Sequence, residues 1–117
     1  MFTKSHRFHG YGSLRGVYQR GQSARGSLIS LKFAHRGNAK PYRVAVVVSR
    51  KVSKSAVVRN RIRRRIYEQA RRLDSSIAPG TDLVFTVYSD QVADMPADKL
   101  AGHISQLLQK TGSGFGV

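Results

Sequence analysis

Seven residues in one short stretch carry side chains suited to a polyanion: Arg59, Asn60, Arg61, Arg63, Arg64, Tyr67 and Arg71. A guanidinium presents paired N–H donors in a planar fork that matches two oxygens of one phosphate. The Asn60 amide both donates and accepts, and the Tyr67 ring offers a face on which a base can stack. Arg50, Lys51 and Lys54 lie just ahead and extend the basic run. From Ser49 to Arg72 the chain places ten of its twenty-one Lys and Arg residues and a single acid, Glu68. A helix surface that is merely solvated mixes signs and supports itself with acid–base pairs four residues apart. Here Glu68 has only Arg64 and Arg72 in reach at that spacing. Arg at 59, 61, 63, 64 and 65 then repel one another, and a polyanionic partner accounts for them better than solvent does.

Residues able to break a bond are not gathered in the same way. His6, His9, His35 and His103 are scattered and lack carboxylates at ligand spacing. Five of the six acids are single Asp residues after the Arg-rich stretch, and they do not read as an acid–base pair or a two-metal site. Gly10-Tyr11-Gly12 lacks the preceding strand that a phosphate-binding loop requires. No catalytic residue and no small-molecule substrate site is expected in this chain. Any reaction it serves has its chemistry elsewhere.

The arginines need a helix to array them, and the spacing predicts one. Val58, Ile62, Ile66, Ala70 and Leu73 recur every three or four positions and form the stripe a helix lays on a sheet. On the same wheel Asn60, Arg64, Tyr67 and Arg71 point directly away from that stripe. Arg61 and Glu68 fall to one side, Arg59 and Arg63 to the other. Ser55 is the expected N-cap. Leu28 to His35 alternates apolar and polar residues and reads as a strand with one apolar face. Residues 35–41, with Gly37, Asn38 and Pro41, read as a turn. Tyr42 to Ser49 carries valine on both faces, which suits a central strand covered on each side, and these two strands are expected to pair as an antiparallel hairpin. After a loop closed by Pro79 and Gly80, Asp82 to Tyr88 gives a third strand. A second amphipathic helix follows, opening at Asp94-Met95-Pro96 and carrying Leu100, Ile104, Leu107 and Leu108. Residues 1–26 are expected to form a loop running into a short helix near 12–20, with Leu14, Val17 and Tyr18 on one side. Residues 112–117 read as a frayed tail. The passage from Tyr42 to Tyr88 is long enough for a parallel crossover. The predicted architecture is α+β, a small mixed sheet packed by helices, with a hairpin, a β-α-β crossover and a C-terminal helix.

With 117 residues, 40% of them apolar, the chain is expected to fold as a single domain over its whole length. It has no cysteine, which excludes a disulfide scaffold or thiolate zinc site and suits a reducing compartment. The N-terminal residues contain no apolar segment of the secretory kind, and the longest apolar run, Val44 to Val48, is too short to span a bilayer. The expected location is cytoplasmic. Residues 1–67 hold seventeen bases and no acid, so the net charge of +15 comes wholly from that part. So one-sided a charge attracts phosphate backbones irrespective of sequence. No segment pairs bulky apolar anchors with the basic face, so nucleic acid is favoured over a membrane.

The same residues carry a resemblance. Arg59-Asn60-Arg61-Ile62-Arg63-Arg64, preceded by Ser49-Arg50-Lys51-Val52 and Ala56-Val57-Val58, is similar to the signature of the bacterial ribonuclease P protein subunit. Thr3-Lys4-Ser5-His6-Arg7-Phe8 resembles that family's opening, and Val17-Tyr18-Gln19-Arg20-Gly21 resembles the end of its first helix. The likeness implies a basic cofactor of a catalytic RNA that matures the 5′ end of precursor tRNA. In that family the RNA cleaves the phosphodiester with bound Mg²⁺. The protein steadies the RNA, contacts the 5′ leader in a cleft between sheet and first helix, and raises metal affinity. Carried onto this sequence, the resemblance implies RNA contacts at Arg50, Lys51, Lys54, Arg59, Asn60, Arg61, Arg63, Arg64, Tyr67 and Arg71. It implies a leader cleft with Leu14, Tyr18 and Lys32, and a left-handed crossover, an exception to the usual rule. Three positions depart from the family pattern: Leu14 replaces a customary phenylalanine, Lys32 an aromatic residue, and Tyr67 a base.

Two readings stay open at Asn60. Its carbonyl oxygen is a hard ligand that can hold an Mg²⁺ water alongside RNA phosphates, or it makes a plain hydrogen bond to RNA or to the neighbouring loop. For the whole chain the alternative is a ribosomal or general RNA-binding protein with no processing role. A DNA-binding helix-turn-helix fits less well, because the Arg helix follows a strand rather than a packed partner helix.

Overall fold

The structure, a computed structural model, describes residues 17, 21–35, 41–77 and 79–112. Strands β1 (Gln22–Arg25), β2 (Ile29–His35) and β3 (Arg43–Val47) precede helix α1 (Ala56–Arg72). A 3-10 turn, η1 (Asp74–Ser76), leads to strand β4 (Thr81–Val87). A second 3-10 turn, η2 (Asp90–Ala93), leads to helix α2 (Ala97–Gly112). The four strands form one mixed sheet in the order β1-β2-β4-β3. The α+β architecture and the crossover through α1 between parallel β3 and β4 agree with the sequence reading.

The pairing of the strands does not. β2 and β3 are not neighbours: β4 lies between them, antiparallel to β2 and parallel to β3. The hairpin is instead β1–β2, with Ala24 opposite Leu31. Its first strand falls within the span read as loop and short helix. Four residues, QSAR, carry only one buried side chain, too little alternation to mark a strand. β3 is consequently an edge strand, although valine on both faces pointed to a central one. Its burial comes from what covers the sheet. Val44, Val46 and Val48 face the helices, while Ala45 joins Val17 and Val84 on the other side.

The larger core lies between the sheet and the two helices. Ile29, Leu31 and Phe33 of β2 and Leu83, Phe85 and Val87 of β4 meet Ile62, Ile66 and Ala70 of α1 and Leu100, Ile104 and Leu107 of α2. The predicted stripe of α1 is thus buried as expected, with Val58 and Leu73 packed partly against it. The opposite sheet face has a smaller cluster, in which helical Val17 is 1% exposed. Gly21 permits this arrangement. Its amide donates to the Val17 carbonyl at 2.7 Å, and a Cβ there would lie 2.3 Å from that oxygen and 2.9 Å from the Phe33 carbonyl oxygen. Gly80, with φ of 78°, turns the chain into β4 in a region that costs other residues strain.

At the shared start of the two parallel strands, Arg43 and Asp82 are register partners. The guanidinium grips the carboxylate through Nε at 2.8 Å and through a second nitrogen at 2.7 Å. Asp82 is only 2% exposed, so this pair holds β3 against β4 at the end of the sheet where the crossover returns. α2 runs to Gly112, one residue into the stretch expected to fray. Residues 113–117, the turn at 36–40, and all of the expected N-terminal helix except Val17 lie outside the described residues.

Candidate nucleic-acid interface

α1 begins where the sequence places it. Ser55 is the N-cap, its Oγ accepting from the Val58 amide at 3.3 Å. The preceding loop is tied down as well: Val52 N donates to Ser49 O at 3.1 Å, and Ser55 N to Ser53 Oγ at 3.2 Å. Burying Ile62, Ile66 and Ala70 then sets the rotation of the helix. Asn60, Arg61, Arg64 and Arg71 emerge exposed, and so do Arg50, Lys51 and Lys54 on the loop. No acid stands in the first turn of α1. The result is one continuous cationic surface over the loop and the outer face of the helix.

Within that surface the arginines divide by what they touch. Arg64 makes no hydrogen bond or ion pair among the described residues. Arg61 meets Asp94 at 3.0 Å, an exposed pair at 54% and 80% that solvent screens and that contributes little. Arg59 and Arg63 are half-buried. The first donates to Ser53 O at 2.9 Å, the second to Asn60 Oδ1 at 2.8 Å and weakly to Val48 O at 3.5 Å. They brace the loop that carries Lys51 and Lys54. Arg65 is structural: both its terminal nitrogens donate to carbonyls, Val92 O at one end of η2 and Met95 O just beyond it. The sequence counted Arg65 among the repelling charges. A signal for its role was present, since it sits one position before Ile66, at the border of the buried stripe.

Two expectations about this face are corrected. Glu68 pairs with Arg72 at 3.4 Å as the spacing allows, but its second partner is Arg71 at 2.6 Å, not Arg64. The Arg71 hydrogen bond, with the nearby charges of Arg71 and Arg72, holds the Glu68 carboxyl below its usual range. Bonding to Glu68 raises Arg71 in turn. Leaving Glu68 to the last turn keeps Arg64 unneutralised. Tyr67, read as pointing directly outward, is half-buried and packs against the core, because an aromatic ring at the flank of the stripe gains more by lying down on it.

The candidate leader-cleft residues separate. Lys32 is half-buried on the sheet face opposite the helices, where its register partners are Ser23 and Val84. Beside it Ser30 and Tyr88 join their hydroxyls at 2.7 Å, and Tyr88 is 59% exposed. Tyr88 was singled out only as a strand residue; its exposed ring appears once β4 is placed beside β2. Leu14 and Tyr18 lie outside the described residues, as do Tyr11, His6 and His9.

The metal ion implied by the resemblance finds no cage in the chain itself. No group of three or more His, Cys, Asp or Glu side chains converges among the described residues. Asn60 Oδ1, the oxygen considered as a ligand, accepts from Arg63. A bare divalent cation there would meet the Arg63 guanidinium already bonded to that oxygen. The residues do not fit a protein-held metal.

A family model described as Ribonuclease P matches residues 2–112 of the chain. A ribonuclease P protein component from a Pseudanabaena species is 38% identical over 95 residues, covering 80% of both chains. One from a Synechococcus species is 34% identical over 113 residues, covering 94% of this chain and 84% of the relative. Among solved structures, the RNase P protein of Staphylococcus aureus aligns with a TM-score of 0.79 at 21% identity, over 92% of this chain and 96% of that one. The RNase P protein of Thermotoga maritima gives 0.74 at 22% identity, over 83% and 89%. At such identities the structural likeness speaks for the fold.

Proposed function

The chain belongs to the ribonuclease P protein family, the protein component of an RNA-containing endoribonuclease, and from that membership we propose that it is the basic cofactor of a catalytic RNA that removes the 5′ leader of precursor tRNA. In this reading the exposed row of Arg50, Lys51, Lys54, Asn60, Arg61, Arg64 and Arg71 docks on phosphates of the catalytic RNA. Arg59 and Arg63 hold the loop in place for it. The sheet face bearing Lys32, with Leu14 and Tyr18 beside it in the sequence reading, receives the leader. Bond cleavage belongs to the RNA, whose phosphates hold the Mg²⁺ that the reaction uses, and no protein side chain is assigned a proton transfer. Family membership supports this reading over that of a ribosomal or general RNA-binding protein.

The observation that carries the proposal is Arg64. It is a charged side chain at the centre of an exposed cationic face, with no partner among the described residues and the nearest carboxylate of its helix already taken by Arg71 and Arg72. An unpaired guanidinium gains nothing for the fold and is available for a bidentate phosphate contact. The test is reconstitution. Precursor tRNA and Mg²⁺ are incubated with the purified chain, with a ribonuclease P RNA, or with both, at low ionic strength and at physiological salt. Efficient 5′ cleavage at moderate Mg²⁺ only when both are present is the expected result. Cleavage by the protein alone, or no gain on adding it to the RNA, would overturn the proposal.

A further inference from the structure

Val57 is one of two large apolar side chains left exposed among the described residues, at 70%; the other is Tyr88, beside the far face of the sheet. It stands in the first turn of α1, on the side away from the buried stripe of Ile62, Ile66 and Ala70. At about 100° per residue, Asn60, Arg61 and Arg64 all fall within about 60° of it on the helical wheel. Those three are exposed, and so is Lys54, two residues before the helix begins. Val57 is therefore a patch of hydrocarbon set inside the cationic face, with the loop lysine on one side and the helix arginines on the other.

A lone exposed valine on an ordinary surface needs no partner. Val57 differs in where it lies, because RNA that reaches both Lys54 and Arg64 has to pass over it. A phosphate laid on the two methyl groups would lose water and gain no donor. The face of a base gains by covering them. In a continuous duplex the base faces are closed by stacking, whereas an unpaired base can splay out and offer its face to a side chain. The fold itself has little use for this valine. A β-branched residue is a poorer helix former than Ala, Lys or Arg, and a surface built only for phosphate would be served by a further cation. We infer that Val57 receives the face of an unpaired nucleobase of the partner RNA, with the flanking phosphates on Lys54 and on Arg61 and Arg64. The helix face then recognises a bulge or single-stranded junction, beyond its general attraction to negative charge. The inference rests on the proposed docking of RNA on α1 and names what that face selects.

The test is equilibrium binding to the full chain, at low ionic strength, of a continuous RNA duplex and of the same duplex carrying one bulged nucleotide. The parent should bind the bulged duplex roughly four- to fifteenfold tighter, the worth of one or two methyl groups taken out of water. Val57→Ala should erase that preference. The slope of log affinity against log salt should stay as in the parent, since no charge is lost. Alanine is the better helix former and the position is exposed, so this variant should melt no lower than the parent. Val57→Leu keeps an apolar surface and should keep the preference. With a ribonuclease P RNA in place of the duplexes, Val57→Ala should bind more weakly by the same factor, again with an unchanged salt slope. Equal binding of the two duplexes by the parent, or a preference that survives Val57→Ala, overturns the inference and leaves the docking of RNA on α1 standing. Failure of the parent to bind either duplex or a ribonuclease P RNA overturns that docking, and this inference with it.

Discussion

Asn60 illustrates how a neighbour settles what a side chain is available for. Its Oδ1 accepts from Arg63 at 2.8 Å, which leaves the amide nitrogen as the group available to the proposed RNA partner. An Asn60→Ala holoenzyme should therefore cleave precursor more slowly by the same factor at every Mg²⁺ concentration. Restoration of the rate by excess Mg²⁺ would mean instead that the oxygen leaves Arg63 for a metal-bound water. Tyr42 makes a different single-residue prediction. It is buried and donates its hydroxyl to Asp74. Burial, then that bond and the Asp74 charge, push its ionisation well above the usual tyrosine range. A group raised in the folded state contributes stability that is whole below its unfolded value, about 10, and is lost as pH rises beyond it. Tyr42→Phe should be about 0.5–1.5 kcal/mol less stable than the parent at pH 7. In urea unfolding the gap should narrow above pH 10, because only the parent then loses this term.

The helix α1 separates stability from function along its own circumference. Ile62 and Ile66 are fully buried in the core between the sheet and the helices, and either change to Ala should cost about 2–5 kcal/mol. Arg64→Ala removes no hydrogen bond or ion pair among the described residues and relieves repulsion, so its melting temperature should equal or exceed the parent's while RNA affinity falls. Arg65→Ala, one residue further on, should do the opposite. It deprives the carbonyls of Val92 and Met95 of their charged donor, loosens η2 from α1, and should lower stability by about 1–3 kcal/mol. Thermal melts of the four variants alongside RNA binding will separate the classes. If Arg64→Ala unfolds the protein, the face described as exposed is misassigned.

At the scale of the whole molecule, charge dominates. The first 67 residues have no acid, and the described cations of that part lie on one side of α1, on the loop before it and across the far sheet face. An interface so built should lose affinity steeply with salt. With roughly six to ten phosphate contacts, binding of the catalytic RNA would fall about 10³–10⁵-fold between 50 and 200 mM if duplex behaviour carried over. A flat salt titration would count against an electrostatic interface. No helix among the described residues is long and apolar enough to cross a membrane.

The sequence by itself determined the features that repeat locally. The three-and-four spacing of Val58, Ile62, Ile66 and Ala70 gave α1 and its rotation. Ser55 marked its start, and the exclusion of acids before Glu68 identified the kind of partner. The spacing of Leu100, Ile104, Leu107 and Leu108 did the same for α2. Strand pairing was legible only in part, because hydrogen-bond partners far apart in the chain leave no trace in periodicity. β4 enters between β2 and β3 from beyond α1, and nothing in β2 or β3 announces a strand that comes later. The same limit governs the side chains. Tyr67 lies on the core, Arg65 holds η2 and Arg43 meets Asp82. Each of these depends on an element distant in sequence, and only the tertiary structure brings such elements within bonding distance.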